Sequence, residues 1–143
     1  MSELLFGDLV SVIIPAYNHA SFIREALDSV YAQTYRNIEL ILLDDCSKDR
    51  TLEIAKEWAE EKKASERFVR IIIEANQVNL GAHNTINNGL ALAQGNALTI
   101  LNSDDLYAPT RLEILLRQAE KHQADWLFTG IRVVDDKGAR VHS

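Results

Sequence analysis

The chain has 143 residues, of which 47% are hydrophobic and 25% are charged, a composition typical of one globular domain over residues 1–143. Its formal net charge of −6 argues against nucleic acid as a partner, because a nucleic-acid-binding surface needs clustered basic residues. The apolar runs are too short to cross a bilayer and the first residues do not resemble an export signal, so no transmembrane segment is expected.

Predicted strands and helices alternate along the chain. Short apolar runs rich in β-branched residues predict strands, and apolar residues at helical spacing predict helices. In chain order we predict a strand at 10–14, a helix at 21–33, a strand at 38–43, a helix at 50–63, a strand at 68–73, a helix at 81–94, a strand at 97–101, a helix at 109–122 and a strand at 126–134. This alternation predicts an α/β fold with a mostly parallel, doubly wound sheet flanked by helices.

Several residues favour boundaries between these elements. Pro15 is expected to end the first strand, Ser21 and Asp49 to cap the first two helices, and Pro109 to lie in the first turn of the fourth helix. A turn is predicted at 135–138, and too few residues follow it to form another element. We therefore expect the chain to be part of a longer protein.

Two aspartate pairs follow predicted strands, Asp44 with Asp45 and Asp104 with Asp105. Ligands of parallel α/β sheets bind at the carboxyl ends of the strands, so both pairs are expected at one ligand-binding edge. Adjacent carboxylates repel unless a cation or hydrogen bonds compensate them, and Mg²⁺ or Mn²⁺ prefers such oxygen ligands. The alternative is that these aspartates only end strands and cap helices.

Glycine-rich phosphate-binding motifs are absent from the sequence. No G-x-G-x-x-G follows the first strand and no G-x-x-x-x-G-K-[ST] occurs, so phosphate binding would depend on a metal ion. A phosphoacceptor receiver domain is disfavoured, because its acidic pair would follow the first strand, where Pro15, Ala16, Tyr17 and Asn18 stand instead.

The remaining reactive side chains have ordinary structural explanations. Cys46 is the single cysteine and cannot form an internal disulfide, which fits a reducing, cytoplasmic location; peripheral contact with the inner face of the membrane stays open. His19 is expected on the surface at the start of a helix. Glu113 and Glu120 are expected to be solvated on a surface helix.

Three segments resemble those of the family 2 glycosyltransferases, which have the GT-A fold. VSVIIPAYNHASFIREALDSVYAQTYRNIELILLDDCSKDRT contains the P-x-Y-N and D-D-x-S-x-D patterns. NLGAHNTINNGLALAQGN resembles the N-x-G segment and its G-L-x-x-A-x-G helix, and LNSDDLYAPTRLE resembles the D-x-D region. The resemblance covers about residues 9–120.

This resemblance implies roles for individual residues. Asp45 would hydrogen-bond the nucleotide base, Asp44 would be mainly structural, and Asp105 would coordinate an Mg²⁺ or Mn²⁺ ion that bridges two phosphates. The implied nucleotide-binding residues are Pro15, Ala16, Tyr17, Asn18, Asp44, Asp45, Asn79, Gly81 and Asp104, and the implied metal ligands are Asp104 and Asp105.

The sequence also departs from the family's usual pattern. Asn102 stands where many members have the first aspartate of D-x-D, Ile86 where an arginine is common, and Cys46 in place of a frequent glycine.

The implied activity is inverting transfer of a sugar from a UDP, GDP or dTDP sugar to a hydroxyl of a carbohydrate or lipid-linked acceptor, as in polysaccharide biosynthesis. The family's catalytic base follows the D-x-D region, and no convincing base precedes Ser143. The chain is therefore expected to bind the donor and to be inactive alone. The alternative is a non-catalytic nucleotide-binding module with a glycosyltransferase-like fold.

Overall fold

The computed structural model describes residues 4–124. Its elements are β1 (Val10–Ala16), α1 (Ile23–Tyr31), β2 (Ile38–Asp44), α2 (Thr51–Lys62) with a short 3-10 turn at Lys63–Ser65, β3 (Arg70–Ala75), α3 (Ala82–Leu92), β4 (Ala97–Ile100) and α4 (Arg111–His122). Each strand and helix predicted up to residue 122 is present, with ends that differ by at most two residues. The strand predicted at 126–134 and the turn at 135–138 lie outside the described residues.

The four strands of this region form one parallel sheet in the order β3-β2-β1-β4. β1 is central, so Ile13 pairs with Ile41 of β2 and with Ile100 of β4. Every residue of β1 and β2 is buried, which explains why these strands are mostly apolar rather than alternating in pattern. The predicted α/β fold is confirmed, and all four strands end at the same edge.

Helices cover both faces of the sheet. One face packs against α1, α2 and α4 in a cluster that includes Val12, Leu27, Leu40, Trp58 and Leu112. The opposite face packs against α3 through Ile13, Ile41, Leu43 and Leu90. Within residues 4–124, no helix combines the length and apolar character that crossing a bilayer requires.

Two glycines allow α3 and the loop after it to approach β1 closely. A Cβ at Gly89 would lie 2.7 Å from the Ile13 side chain. A Cβ at Gly95 would lie 2.5 Å from Ser11 Oγ and 2.8 Å from the Leu9 carbonyl oxygen. The spacing of these glycines in the G-L-x-x-A-x-G segment therefore reflects close packing of this segment against the sheet.

A buried carboxylate holds the same loop in place. Glu39 of β2 is 1% exposed; it accepts hydrogen bonds from Ser11 Oγ at 2.5 Å and from the Gln94 N–H at 2.6 Å, and it pairs with Arg70 at 2.9 Å. Burial alone would raise the pKa of Glu39, but the Ser11, Gln94 and Arg70 contacts hold it below the ordinary value of 4.5.

Pro15 does not end β1, contrary to the prediction. The strand continues to Ala16, with Pro15 paired to Leu43. The Ile13 carbonyl accepts the Leu101 N–H on the β4 side, and Pro15, two residues later, faces that same side, where the ladder with β4 has already ended. The missing N–H of proline therefore removes no ladder hydrogen bond.

Two of the predicted helix starts are also wrong in detail. Phe22 rather than Ser21 is the N-cap of α1, and no side chain caps that helix. Pro109 precedes the first turn of α4, and its carbonyl instead accepts the Thr34 N–H at 2.9 Å. Asp49 acts at the start of α2 from the position before the N-cap, which is Arg50: its Oδ1 accepts the backbone N–H of Thr51 at 2.9 Å.

Candidate functional site

Four loops meet where the parallel strands end. We name this region the carboxyl edge and define it as residues 16–19, 44–48, 76–81 and 102–105, which follow β1, β2, β3 and β4 respectively. It contains both aspartate pairs, as predicted from their positions after strands. Polar side chains from distant parts of the sequence are thereby brought to one side of the molecule.

Hydrogen bonds join the loops after β1 and β2. Asn18 has a φ of +50°, a left-handed conformation that asparagine tolerates better than most residues. Its N–H donates to Ser47 Oγ at 2.9 Å, and its side-chain oxygen accepts the Lys48 N–H at 2.8 Å. Tyr17 is 40% exposed and leaves an aromatic ring at the carboxyl edge. Pro15 and Ala16, by contrast, are buried, and the Ala16 carbonyl accepts the Asp45 N–H at 2.8 Å.

Asp44 is directed into its own turn. It is 2% exposed, and its two oxygens accept hydrogen bonds from the backbone N–H of Ser47 at 2.8 Å and from the Ser47 hydroxyl at 2.5 Å. These contacts stabilise the sharp turn after β2 and keep the carboxylate away from solvent.

Asp45 organises the loop after β3. It is 4% exposed; its Oδ1 accepts the Leu80 N–H at 2.7 Å and the Asn76 side-chain amide at 3.0 Å, and its Oδ2 accepts the Gly81 N–H at 2.9 Å. Burial alone would raise the pKa of Asp45, but these bonds, with that of Thr85, hold it below the ordinary value of 3.8. The carboxylate is therefore ionised at neutral pH, and most of its hydrogen-bonding capacity is used within the chain.

Asn79 and Gly81 form part of the same arrangement. The Asn79 side-chain amide donates to the Asp45 carbonyl oxygen at 3.2 Å. Gly81 has a φ of +86° directly before α3, a conformation that residues with a Cβ rarely adopt. The N-x-G pattern thus supplies an amide that reaches the loop after β2 and a glycine that turns the chain into α3.

Cys46 also has a left-handed backbone conformation, with a φ of +62°. Its side chain is exposed, and its thiol lies 3.8 Å from the Gln77 carbonyl oxygen. A glycine would adopt this conformation without strain, so the turn itself explains why glycine suits this position.

Asp104 and Asp105 differ from the first pair because both are exposed. The Asp105 N–H donates to the Asn102 carbonyl at 2.9 Å, which closes a turn after β4, and the Asn102 amide lies 3.4 Å from Asp105 Oδ2. Asp104 is 48% exposed at its side chain. Both carboxylates therefore retain oxygen lone pairs for a ligand.

His19 belongs to this edge as well as to the partly exposed segment that leads into α1, where it was predicted. Its Nδ1 lies 2.7 Å from Oγ of the buried Ser103, and its Nε2 lies 3.8 Å from Asp104 Oδ2. The contact joins residues 84 positions apart. A histidine directly after the P-x-Y-N turn was the available signal, but sequence spacing alone does not reveal its partner on another loop.

The chemistry of the exposed pair fits a divalent cation shared with a ligand. No group of three or more His, Cys, Asp or Glu side chains suited to a metal occurs in residues 4–124. Mg²⁺, however, is commonly held by one or two carboxylates together with water and substrate phosphates. Asp104 and Asp105 are two exposed carboxylates of the kind that such a site uses.

The sequence profile described as "Glycosyl transferase family 2" matches residues 11–143 of this chain. The chain belongs to glycosyltransferase family 2. The resemblance seen in the sequence motifs is thereby confirmed. An uncharacterized glycosyltransferase of Rickettsia typhi is 34% identical over 139 residues, which cover 96% of this chain and 41% of the relative. The chain thus spans about two fifths of that relative's length.

Solved structures of glycosyltransferases share the fold. S. aureus TarS (residues 1–349), in complex with UDP-GlcNAc, matches 82% of this chain and 32% of its own chain, with a TM-score of 0.70 and 28% identity. The mannosyltransferase PcManGT of Pyrobaculum calidifontis, in complex with GDP-Man and Mn²⁺, matches 79% of this chain and 32% of its own, with a TM-score of 0.65 and 30% identity. The described sheet and helices therefore correspond to part of a GT-A fold.

Proposed function

We propose that this chain is the donor-binding part of an inverting, metal-assisted glycosyltransferase that uses a nucleotide sugar. The observation that carries this proposal is the difference between the two aspartate pairs. Asp44 and Asp45 are buried and hydrogen-bonded, whereas Asp104 and Asp105 are exposed at the same edge of the sheet. One pair organises the loops at this edge and the other is available to a ligand.

The nucleotide would lie over the loops after β1, β2 and β3. The exposed Tyr17 ring offers a flat apolar surface to a base. The surrounding loops are shaped by Asn18, Asn79 and Gly81 and are held together by Asp45. At most one lone pair of the Asp45 carboxylate is then left to accept a hydrogen bond from the base. TarS with UDP-GlcNAc and PcManGT with GDP-Man support a nucleotide-sugar donor of the UDP or GDP type.

Asp104 and Asp105 would hold Mg²⁺ or Mn²⁺ together with the diphosphate of the donor. Such a cation stabilises the negative charge that develops on a departing nucleoside diphosphate. The Mn²⁺ in the PcManGT structure supports this choice of ion. The two carboxylates also repel a diphosphate that carries no cation, so donor binding is expected to require the metal.

A catalytic base for the acceptor hydroxyl is not proposed within residues 106–124. Glu113 is partly exposed on the surface helix, as predicted, and its carboxylate accepts the Thr34 hydroxyl at 2.7 Å and pairs with Arg117 at 3.3 Å. Glu120 accepts the Phe6 N–H. We propose that the base and the acceptor site lie in the part of the protein that follows, which fits the 41% coverage of the Rickettsia typhi relative.

The lack of a base in this region is also what a non-catalytic nucleotide-binding module would show. Turnover distinguishes the two. The full-length protein should release nucleoside diphosphate from UDP or GDP sugars in the presence of an acceptor extract, and Asp105→Ala should abolish the release. A full-length protein that binds the nucleotide but releases none with any donor would favour the binding module.

A further inference from the structure

His19 is held by one contact of its backbone and one contact of its ring nitrogen Nδ1, and the second ring nitrogen, Nε2, faces Asp104. Its backbone N–H donates to Thr51 Oγ1 at 2.9 Å, and its Nδ1 lies 2.7 Å from Ser103 Oγ. These contacts set the ring between the loops after β1 and β4. The remaining nitrogen, Nε2, faces Asp104 Oδ2 at 3.8 Å.

The arrangement of serine, histidine and aspartate does not form a nucleophilic triad. Ser103 is 2% exposed, so a substrate does not reach its hydroxyl. A Ser103 hydroxyl that donates to Nδ1 leaves the proton of a neutral ring on Nε2, the nitrogen that faces Asp104. The separation of 3.8 Å exceeds a direct hydrogen bond, so the N–H acts on the carboxylate electrostatically or through one water molecule.

We propose that His19 is a positioning residue for Asp104 and directs this carboxylate toward the divalent cation and diphosphate of the donor. This role rests on the proposed function. Ligating carboxylates are commonly held by a second set of hydrogen-bonding groups, and loss of such a group typically lowers metal affinity about 10- to 100-fold. His19, held in turn by Ser103, supplies such a group from a separate loop.

Two substitutions of His19 test the roles of its two ring nitrogens separately. His19→Asn places an amide at the reach of Nδ1, so it retains the Ser103 contact and loses the group that faces Asp104. His19→Gln places an amide nitrogen at the reach of Nε2 and restores that group. A comparison of these two variants therefore tests the contact with Asp104 rather than the mere presence of a polar side chain at position 19.

The measurement is Mn²⁺ affinity of the full-length protein by electron paramagnetic resonance, with UDP and separately with GDP. We expect His19→Asn to lower the affinity about 10- to 100-fold and His19→Gln to restore it to within a few-fold of wild type. In an Asp104→Asn background, His19→Asn should cause no further loss, because its partner is already gone. Thermal unfolding of each variant shows whether the fold is kept; if His19→Asn does not fold, His19→Ala takes its place, because it also removes the group that faces Asp104 and should weaken Mn²⁺ binding in the same direction.

Wild-type Mn²⁺ affinity in His19→Asn, together with loss in Asp104→Asn, would refute the role of His19 and leave the donor site standing. Equal losses in His19→Asn and His19→Gln would also refute it. If the wild-type protein binds Mn²⁺ with neither UDP nor GDP, the proposed function fails and the role of His19 fails with it.

Discussion

The Asp45 carboxylate accepts the backbone N–H of Gly81 at 2.9 Å and so connects the end of β2 to the start of α3. Together with the Leu80 N–H and the Asn76 amide, this bond folds residues 76–81 over the end of β2. The D-D-x-S and N-x-G segments are therefore one structural unit in which a buried carboxylate is the shared acceptor.

Replacement of this carboxylate by an amide should affect both stability and ligand binding. In Asp45→Asn an NH₂ group must face backbone N–H donors, and an unsatisfied buried donor costs about 1–3 kcal/mol. We expect the free energy of unfolding in urea to fall by about that amount, and nucleotide affinity to fall as the loop loosens. Asp104→Asn is the matched control, because this exposed residue should affect nucleotide binding with little change in stability. Unchanged urea stability of Asp45→Asn would contradict the organising role of Asp45.

The buried carboxylates predict loss of stability in acid. Hydrogen bonds outweigh burial and hold the pKa of Glu39 below 4.5 and the pKa of Asp45 below 3.8 in the folded protein. Their contribution to the free energy of unfolding is therefore fully present above the pKa values that these groups have in the unfolded chain. It is lost as the pH falls through their lower pKa values in the folded protein. The free energy of unfolding should be nearly constant from about pH 7 to 5 and decline below about pH 4.5.

A substitution at Glu39 isolates its share of this pH dependence. Glu39→Gln should be less stable than wild type at pH 7, and its stability should decline less steeply below pH 4.5 because one titrating group is gone. Glu60→Gln, at an exposed position, is the control and should retain the wild-type slope. Parallel pH curves for Glu39→Gln and wild type would show that Glu39 does not contribute as described.

The left-handed conformation of Cys46 predicts a stabilising substitution. A residue with a Cβ pays roughly 1 kcal/mol for this conformation, and glycine avoids that strain. Cys46→Gly should therefore raise the free energy of unfolding by up to about 1 kcal/mol, partly offset by the greater freedom of glycine in the unfolded chain. Cys46→Ala keeps the Cβ and should leave stability near the wild-type value. A gain in Cys46→Ala equal to that in Cys46→Gly would point to the thiol rather than to the backbone.

Close packing at Gly95 predicts a destabilising substitution. A Cβ there would lie 2.8 Å from the Leu9 carbonyl oxygen, a backbone atom that moves only with the sheet. Gly95→Ala should lower the free energy of unfolding by about 1–3 kcal/mol, as overpacking does elsewhere. Asn96→Ala, at the exposed neighbouring position, should stay within about 0.5 kcal/mol of wild type. A Gly95→Ala protein as stable as wild type would show that the loop moves away from β1 without penalty.

The sequence predicts the fold well because its local signals agree with one another. Apolar runs mark the buried strands, helical spacing marks α1 to α4, and parallel topology then places both aspartate pairs at one edge. Pro15 was misjudged because its effect depends on where β4 ends, which is a property of pairing between distant segments.

The contacts within the site were harder to predict for the same reason. Nothing in the spacing of His19 and Ser103 shows that their side chains meet, since 84 positions separate them. The two aspartate pairs likewise look alike in the sequence. They differ because Ser47 satisfies Asp44 within its own turn and residues 76–81 satisfy Asp45, whereas Asp104 and Asp105 stay exposed among residues 4–124.

The most direct test of a metal-dependent donor site at the carboxyl edge is isothermal titration calorimetry of the full-length protein with UDP and with GDP, each with and without Mn²⁺. We predict binding of at least one nucleotide that requires Mn²⁺ and is lost in Asp105→Asn, while the melting temperature of that variant stays close to wild type. Nucleotide binding that is equal with and without Mn²⁺, or that is unchanged in Asp105→Asn, would contradict the proposed site.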